Sequence, residues 1–363
     1  MSAKIPVTIL TGFLGAGKTT LLNRLLGQPV LADAAVLINE FGAVAVDHHL
    51  VQKIDEAIVV LDSGCLCCSV RGEMATSLRD LFMRRLRREI PSFSRVLIET
   101  SGLADPAPTI HTLREDFFLA DRYRMDAVLT AVAVTHFVDQ LDRHREVLRQ
   151  VALADDLLLT KCDLATDEQI SDVGRRLQRI NPGARQIEVR AGQLAAASDI
   201  FANGFYDRAE EAARVVPWLA EQRVAELLAS DGFRPDARAT RHDAQVRAFV
   251  IRFAEPVAWA DFTEAIDLLL DTCGPRILRL KGLVAVTGEP GPRVVQCVQH
   301  VRYPEWSLPA WPDADRRSRL VLIVDALARE IVDGAFAAFC GVTVSRDPLA
   351  AGNPRVSSPA AGR

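Results

Sequence analysis

A chain of 363 residues with a net charge of −4 is longer than one compact domain usually runs, which calls for two domains with sizeable cores. Its Lys, Arg, Asp and Glu are interspersed, which excludes whole-surface attraction to nucleic acid or to an anionic membrane, and no apolar run reaches the ~18 residues of a spanning helix. Seven cysteines are too few for a disulfide scaffold, and Met1–Val7 lacks a charged-then-apolar leader pattern, so a reducing, cytoplasmic setting is expected.

The first apolar run, Val7–Leu10, leads into Gly12-Phe13-Leu14-Gly15-Ala16-Gly17-Lys18-Thr19 and then the helical stretch Thr20–Leu26. This is the strand, glycine loop and helix order of a phosphate-binding loop, G-x-x-x-x-G-K-[ST]. The loop backbone, from Gly12 through Gly15, Ala16 and Gly17 to Thr20, is expected to turn N–H groups toward phosphates. Lys18 would counter the outer phosphates, and the Thr19 hydroxyl would ligate magnesium.

Ala35–Ile38 predicts a second strand and Ile58–Leu61 a third, which runs into Asp62-Ser63-Gly64-Cys65-Leu66-Cys67-Cys68. Three thiolates, Cys65, Cys67 and Cys68, suit zinc or copper(I) far better than magnesium or calcium. Adjacent residues of an extended chain point apart, so a turn must bring Cys67 and Cys68 together, and Gly64 supplies local freedom for it. Zinc takes four ligands; a water, Glu40, a neighbouring histidine such as His48 or a client residue could complete the shell. An open fourth position favours transfer over permanent structure.

Val96–Ile98 predicts a strand ending in Glu99-Thr100-Ser101-Gly102, which places a carboxylate at the strand's C-terminal edge beside the phosphates. Glu99 can hold a magnesium-bound water, and the Gly102 N–H can meet the γ-phosphate, so this loop can sense its presence. After Ala127–Val134, the run Asp156–Leu159 leads to Thr160-Lys161-Cys162-Asp163, which fits the guanine-reading pattern [NT]-K-x-D. Asp163 can accept from N1–H and the exocyclic amine of guanine, a donor pair adenine lacks, while Lys161 lays its stem along the base. Thr160 replaces the usual Asn and shortens or removes one polar contact. With Gln186–Val189, the alternation predicts an α/β P-loop NTPase with a mostly parallel sheet covered on both faces.

Arg190–Ser230 has helical character and closes a first domain at 1–230; Gly, Pro, Asp and Arg mark 231–242 as a linker. A smaller α+β domain is expected over 243–341, with strand Val246–Phe253, helix Val257–Leu270, two strands around Gly288–Pro292, strand Leu320–Val324 and a helix near Asp325–Phe339. The tail, 342–363, is rich in Ser, Pro, Gly and Ala and is expected to be disordered. Arg79, Arg84, Arg85, Arg87 and Arg88 read as a solvated helix face or a contact between two copies in a homodimer, rather than a site for an acidic partner. His111, His136, His144 and His300 lack metal-ligand spacing and read mostly as surface or capping residues, and Cys162, Cys273, Cys297 and Cys340 as packing.

Taken together, Gly12 to Thr20, Asn39-Glu40-Phe41-Gly42, Gly64 to Cys68, Glu99 to Pro106 and Thr160 to Asp163 resemble, in order, the motifs of the CobW-type metallochaperone GTPases. The resemblance continues through Arg279-Leu280-Lys281-Gly282 and Arg319-Leu320-Val321, so it spans Val7 to Phe336. It implies GTP, Mg2+ and Zn2+ as ligands and a client metalloprotein as partner. It also implies a first switch at Asn39–Gly42, a second at Glu99–Gly102 and a partner-reading C-terminal domain. Two departures stand out: the linker holds only His242 where many relatives have a histidine run, and Ala43 replaces a frequent acidic residue. Rival readings are a P-loop kinase acting on a small molecule and a metal-sensing or storage module; three thiols hold one ion, which argues against storage.

Overall fold

The computed structural model describes residues 4–39, 58–61, 69–194 and 246–341. Glu40, His48, Cys65, Cys67, Cys68, the helical reading beyond residue 194, the 231–242 linker and the 342–363 tail lie outside the described residues.

The N-terminal part builds β1 (Ile5–Gly12), α1 (Lys18–Leu26), β2 (Ala34–Asn39), β3 (Ile58–Leu61), α2 (Ser69–Leu86), β4 (Arg95–Thr100), α3 (Ala107–Glu115) and α4 (Phe117–Arg122). It continues with β5 (Tyr123–Ala133), α5 (Phe137–Arg143), α6 (Arg145–Leu153), β6 (Asp156–Thr160), α7 (Asp167–Ile180), β7 (Arg185–Arg190) and β8 (Gln193–Leu194). The strands order as β3-β2-β4-β1-β5-β6-β7-β8, all parallel except β8. Alternation explains why both faces are covered. Val36 and Leu97 pack with Leu21, Leu22 and Leu25 of α1, whereas Leu37, Val96 and Ile98 pack with Met74, Leu78 and Leu81 of α2 on the opposite face.

Each predicted strand is present. The start of the expected helical stretch differs: Ala191 and Gly192 sit at φ 48° and 72°, and Val189 and Arg190 pair back onto Leu194 and Gln193, so Arg190–Leu194 form a hairpin. Of the arginines expected on one helix, Arg79 pairs with Asp116 and Arg85 lies over the Phe93 ring at 5.0 Å, whereas Arg87 and Arg88 fall in the exposed turn after α2.

The second sheet comprises β9 (Val246–Phe253), β10 (Ile277–Val284), β11 (Arg293–Val298), β12 (Val301–Arg302), β13 (Trp306–Ser307) and β14 (Ser318–Asp325). Its order is β12-β11-β10-β14-β9, antiparallel, with β13 also on β11. Helices α8 (Trp259–Cys273) and α9 (Arg329–Cys340) cover one face through Phe262, Ile266, Leu269, Val332 and Phe336. The helices begin later than expected because Val257 is held in a bridge to Val286, and Asp325 still pairs in β14 with Val246.

The other face meets the N-terminal domain. Leu320, Leu322 and Val324 join the cluster under α8 and α9, whereas Ile323 lies with Val151 and Ala154 of the first domain. On β10 the register against β14 slips between Ile277 and Arg279, an irregularity that inserts Leu278. A bulge reverses which residues face which side. Ile277 and Leu280 stay in the domain's own core, Leu278 joins the shared cluster, and Arg279 and Lys281 reach Asp155 of the first domain.

Candidate functional site

Parallel strands deliver their C-terminal ends to one edge. There Leu10 registers with Glu99, and Glu99 in turn with Ile38, so the glycine loop and the Glu99 loop are neighbours although far apart in sequence. A cleft of about 370 Å³ opens between them, lined by Gly15, Gly17, Lys18, Thr19, Thr20, Glu99, Gly102 and Lys161. Gly17 occupies the N-cap position of α1 at φ 84°, a left-handed conformation that strains any residue with a Cβ. No side chain caps this terminus and no acidic residue sits in its first turn. Its N–H groups and dipole therefore present the positive end to an anion in the cleft. Lys18 Nζ donates to the Phe13 carbonyl at 3.3 Å, which curls its charge over the loop.

Glu99 is 5% exposed and accepts from Thr19 Oγ1 at 3.1 Å through Oε1. A buried carboxylate beside a hydroxyl is an oxygen pair suited to a hard divalent cation, so the residues present fit magnesium. Beyond it, the chain passes hard against the glycine loop: a Cβ on Gly102 would lie 2.8 Å from Leu14 N and 2.7 Å from Leu14 Cδ2. Gly102 is thus required for close approach rather than for an unusual φ.

Thr160 acts from behind the glycine loop. Its hydroxyl reaches the Ala16 carbonyl at 2.7 Å and the Val132 carbonyl at 3.2 Å, stapling the end of β6 to the back of the glycine loop. Lys161, at φ 59°, then enters the cleft wall. Asp163 is exposed, off that wall, and accepts from the Ala191 N–H at 2.8 Å through Oδ1. That backbone donor holds its carboxyl below the ordinary range, so the acceptor-only ionised form is favoured. Cys162 is buried, donates to the Leu159 carbonyl and has its thiol pushed up by burial, which agrees with packing.

The cysteine motif lies outside the described residues, but its flanks are placed. Leu61 at the end of β3 registers with Asn39 at the end of β2, on the same sheet edge as the cleft, and α2 starts at Ser69.

Residues 6–188 match the CobW/HypB/UreG nucleotide-binding domain, and residues 246–340 match the cobalamin synthesis protein CobW C-terminal domain. The chain belongs to the CobW family. Among CobW relatives, it is 33% identical to the zinc chaperone YjiA of Escherichia coli K12, across 92% of this chain and 98% of that one. It is 31% identical to the zinc chaperone CobW of Pseudomonas aeruginosa, across 88% of each chain. The crystal structure of the Zn(II)-bound YjiA GTPase from E. coli superimposes with a TM-score of 0.67 at 28% identity, covering 93% of this chain and 99% of that one. The CobW fold, a P-loop parallel sheet with a separate antiparallel C-terminal sheet, is therefore shared over nearly the full described length.

Three features escaped the sequence reading. Ala191 supplies the partner of Asp163 from a hairpin that has no motif. Gln150 is 1% exposed and ties down the loop after Glu99; its one signal is a polar residue three positions after Val147, within the apolar stripe of α6. His111 is buried rather than at the surface, its ring 4.0 Å from that of His300 across the domain boundary. His300 Nε2 in turn lies 3.0 Å from Glu115 Oε1.

Proposed function

We propose that this protein is a cytoplasmic GTPase that binds zinc through Cys65, Cys67 and Cys68 and releases it to a client metalloprotein under control of the nucleotide. The observation that carries the reading is the single cleft that gathers Lys18, Thr19, Glu99, Gly102 and Lys161 from three separate motifs. Lys18 and the α1 terminus hold the outer phosphates and Asp163 selects guanine, while Gly102, jammed against the glycine loop, feels the γ-phosphate. Magnesium, held through Thr19 and Glu99, would neutralise charge developing on the transferred phosphoryl group. The names of the relatives, zinc chaperone and GTPase, support zinc as cargo and GTP as substrate. Among the described residues no helix is long and apolar enough to cross a membrane, and Leu278 and Ile323 of the second sheet share a cluster with the first domain.

Glu40 precedes the cysteines in sequence and Gly102 follows them, so a nucleotide that draws both segments inward also shifts the thiolates. Zinc affinity then differs between nucleotide states, by the factor that zinc in turn adds to GTP affinity; about 5- to 150-fold is typical of coupled sites. The test is a zinc competition titration with a non-hydrolysable GTP analogue and again with GDP, at saturating magnesium, in wild type and in the triple Cys→Ser variant. Tighter zinc with the analogue, lost in the variant, is expected. Equal affinities would sink delivery while leaving hydrolysis standing, and absence of GTP turnover would remove the enzyme itself.

A further inference from the structure

Helix α6 stands between the nucleotide cleft and the C-terminal sheet and is bonded to both. Gln150 donates through Nε2 to the Gly102 carbonyl at 3.1 Å and to the Ala104 carbonyl at 3.0 Å, so both amide hydrogens are used on the loop after Glu99. Its neighbour Arg149 donates from Nη1 to Asp105 Oδ2 at 3.0 Å, and Asp105 Oδ1 receives the Ala107 N–H at the start of α3. On the other side, Arg149 Nη2 lies 4.0 Å from Asp325 Oδ2, at the last position of β14, and Arg145 Nη2 donates to the same oxygen at 2.9 Å. The helix ends on Leu153, whose carbonyl receives Arg279 of β10.

These contacts limit independent motion. Gln150 is 1% exposed, so moving the Gly102 loop without α6 would strand a buried amide without its acceptors. Moving α6 with the loop instead lengthens the Arg145 and Arg149 pairs to Asp325, which sits 9% exposed at the domain boundary. Either way, the position of Gly102 is tied to the C-terminal sheet through a continuous run of polar contacts, the kind of packed network that can carry energetic coupling.

We propose that α6 relays occupancy of the γ-phosphate position to the C-terminal domain, with Gln150 and Arg149 as positioning residues of the second-switch loop and Asp325 as the receiving group. This rests on the GTPase reading and deepens it: the domain that would meet a client is informed of the nucleotide by a route that bypasses the cysteine loop.

Hydrogen exchange of the full chain, with saturating GDP and then a non-hydrolysable GTP analogue, tests the relay in peptides spanning 318–330. Wild type should show different protection in the two states. Asp325→Asn, which discharges the group that both Arg145 and Arg149 meet, should erase the difference, and Arg149→Met should shrink it, because Arg145 still reaches Asp325. Asp325→Asn should also change kcat for GTP by about 5-fold, the low end of allosteric coupling, with KM unmoved because Asp325 touches nothing in the cleft. Titration with a fluorescent guanine nucleotide separates the two ideas. If no nucleotide binds, the GTPase reading fails. If it binds and residues 318–330 exchange alike in both states, or if the difference survives in both variants, the relay is wrong. Should Arg149→Met lose its melting transition, the near-isosteric Asp325→Asn decides alone.

Discussion

Replacing Asp155 with alanine should uncouple the two domains at a cost that can be worked from the geometry. Its Oδ1 receives Lys281 Nζ at 3.0 Å together with the Arg279 guanidinium, and its Oδ2 receives the Val128 N–H at 3.0 Å. Burial works against the charged carboxylate, but Arg279, Lys281 and the Val128 N–H outweigh it and hold the carboxyl well below the usual range. Burial, with Arg279 alongside, also draws Lys281 down to about 8. In Asp155→Ala the Arg279 and Lys281 side chains, 5% and 9% exposed, lose the carboxylate that both of them contact. Removing one partner of a buried ion pair costs about 3–5 kcal/mol. At about 2.1 cal/mol/K of unfolding entropy per residue, a chain of 363 residues shifts by roughly 1.3 °C per kcal/mol, so the melting midpoint should fall by about 4–7 °C. Asp155→Asn keeps the acceptor for Val128 and the shape, so it should fall between the two. Calorimetric or circular-dichroism melts read the difference.

The pH dependence follows from the same group. Its folded value lies below the unfolded one of about 3.9, so its stabilisation is complete above about pH 4 and is lost as pH falls through the folded value. The advantage of wild type over Asp155→Asn should be full at pH 6 and shrink below pH 4. An Asp155→Ala protein within about 1 kcal/mol of wild type would show that the cluster is solvated and the argument mistaken.

Two further outcomes are expected at the nucleotide cleft. Asp163→Asn keeps an oxygen to accept from Ala191, so melting should be unchanged, but the new amide donates where guanine also donates; GTP should lose its advantage over xanthosine triphosphate in competition assays, and an unchanged ranking would remove Asp163 from the base site. Gly102→Ala drives a methyl to 2.8 Å from Leu14 N, and a displacement of about 1 Å at a reacting group costs on the order of 10²-fold in rate; GTP turnover should fall by about that factor with GDP affinity within a few-fold, whereas undiminished turnover would refute the close-approach role.

The phosphate loop was legible because its chemistry is local: Gly12 to Thr20 are contiguous, and a strand before and a helix after suffice to specify where Lys18 and Thr19 point. Glu99 was legible one step further out, since a carboxylate at the end of a buried parallel strand must emerge on the same edge as the loop after β1. Thr160 was half legible; its place was right, but its partners, Ala16 and Val132, come from two other loops and strands. The proposed soft-metal role of Cys65, Cys67 and Cys68 rests on residue type and spacing alone.

Strand alternation placed Arg279 and Lys281 nowhere in particular, and only the slip at Leu278 turned them onto Asp155. Gln150 and Asp325, 175 positions apart by their numbers, acquire meaning solely because α6 packs between two sheets. Motifs are short-range patterns of backbone shape and ligand chemistry, so residue order alone was enough to place the nucleotide loops. Contacts between domains depend on which face of each strand and helix is left to meet the other, and that choice is made by a single inserted residue and by close packing, which act only once the chain has folded.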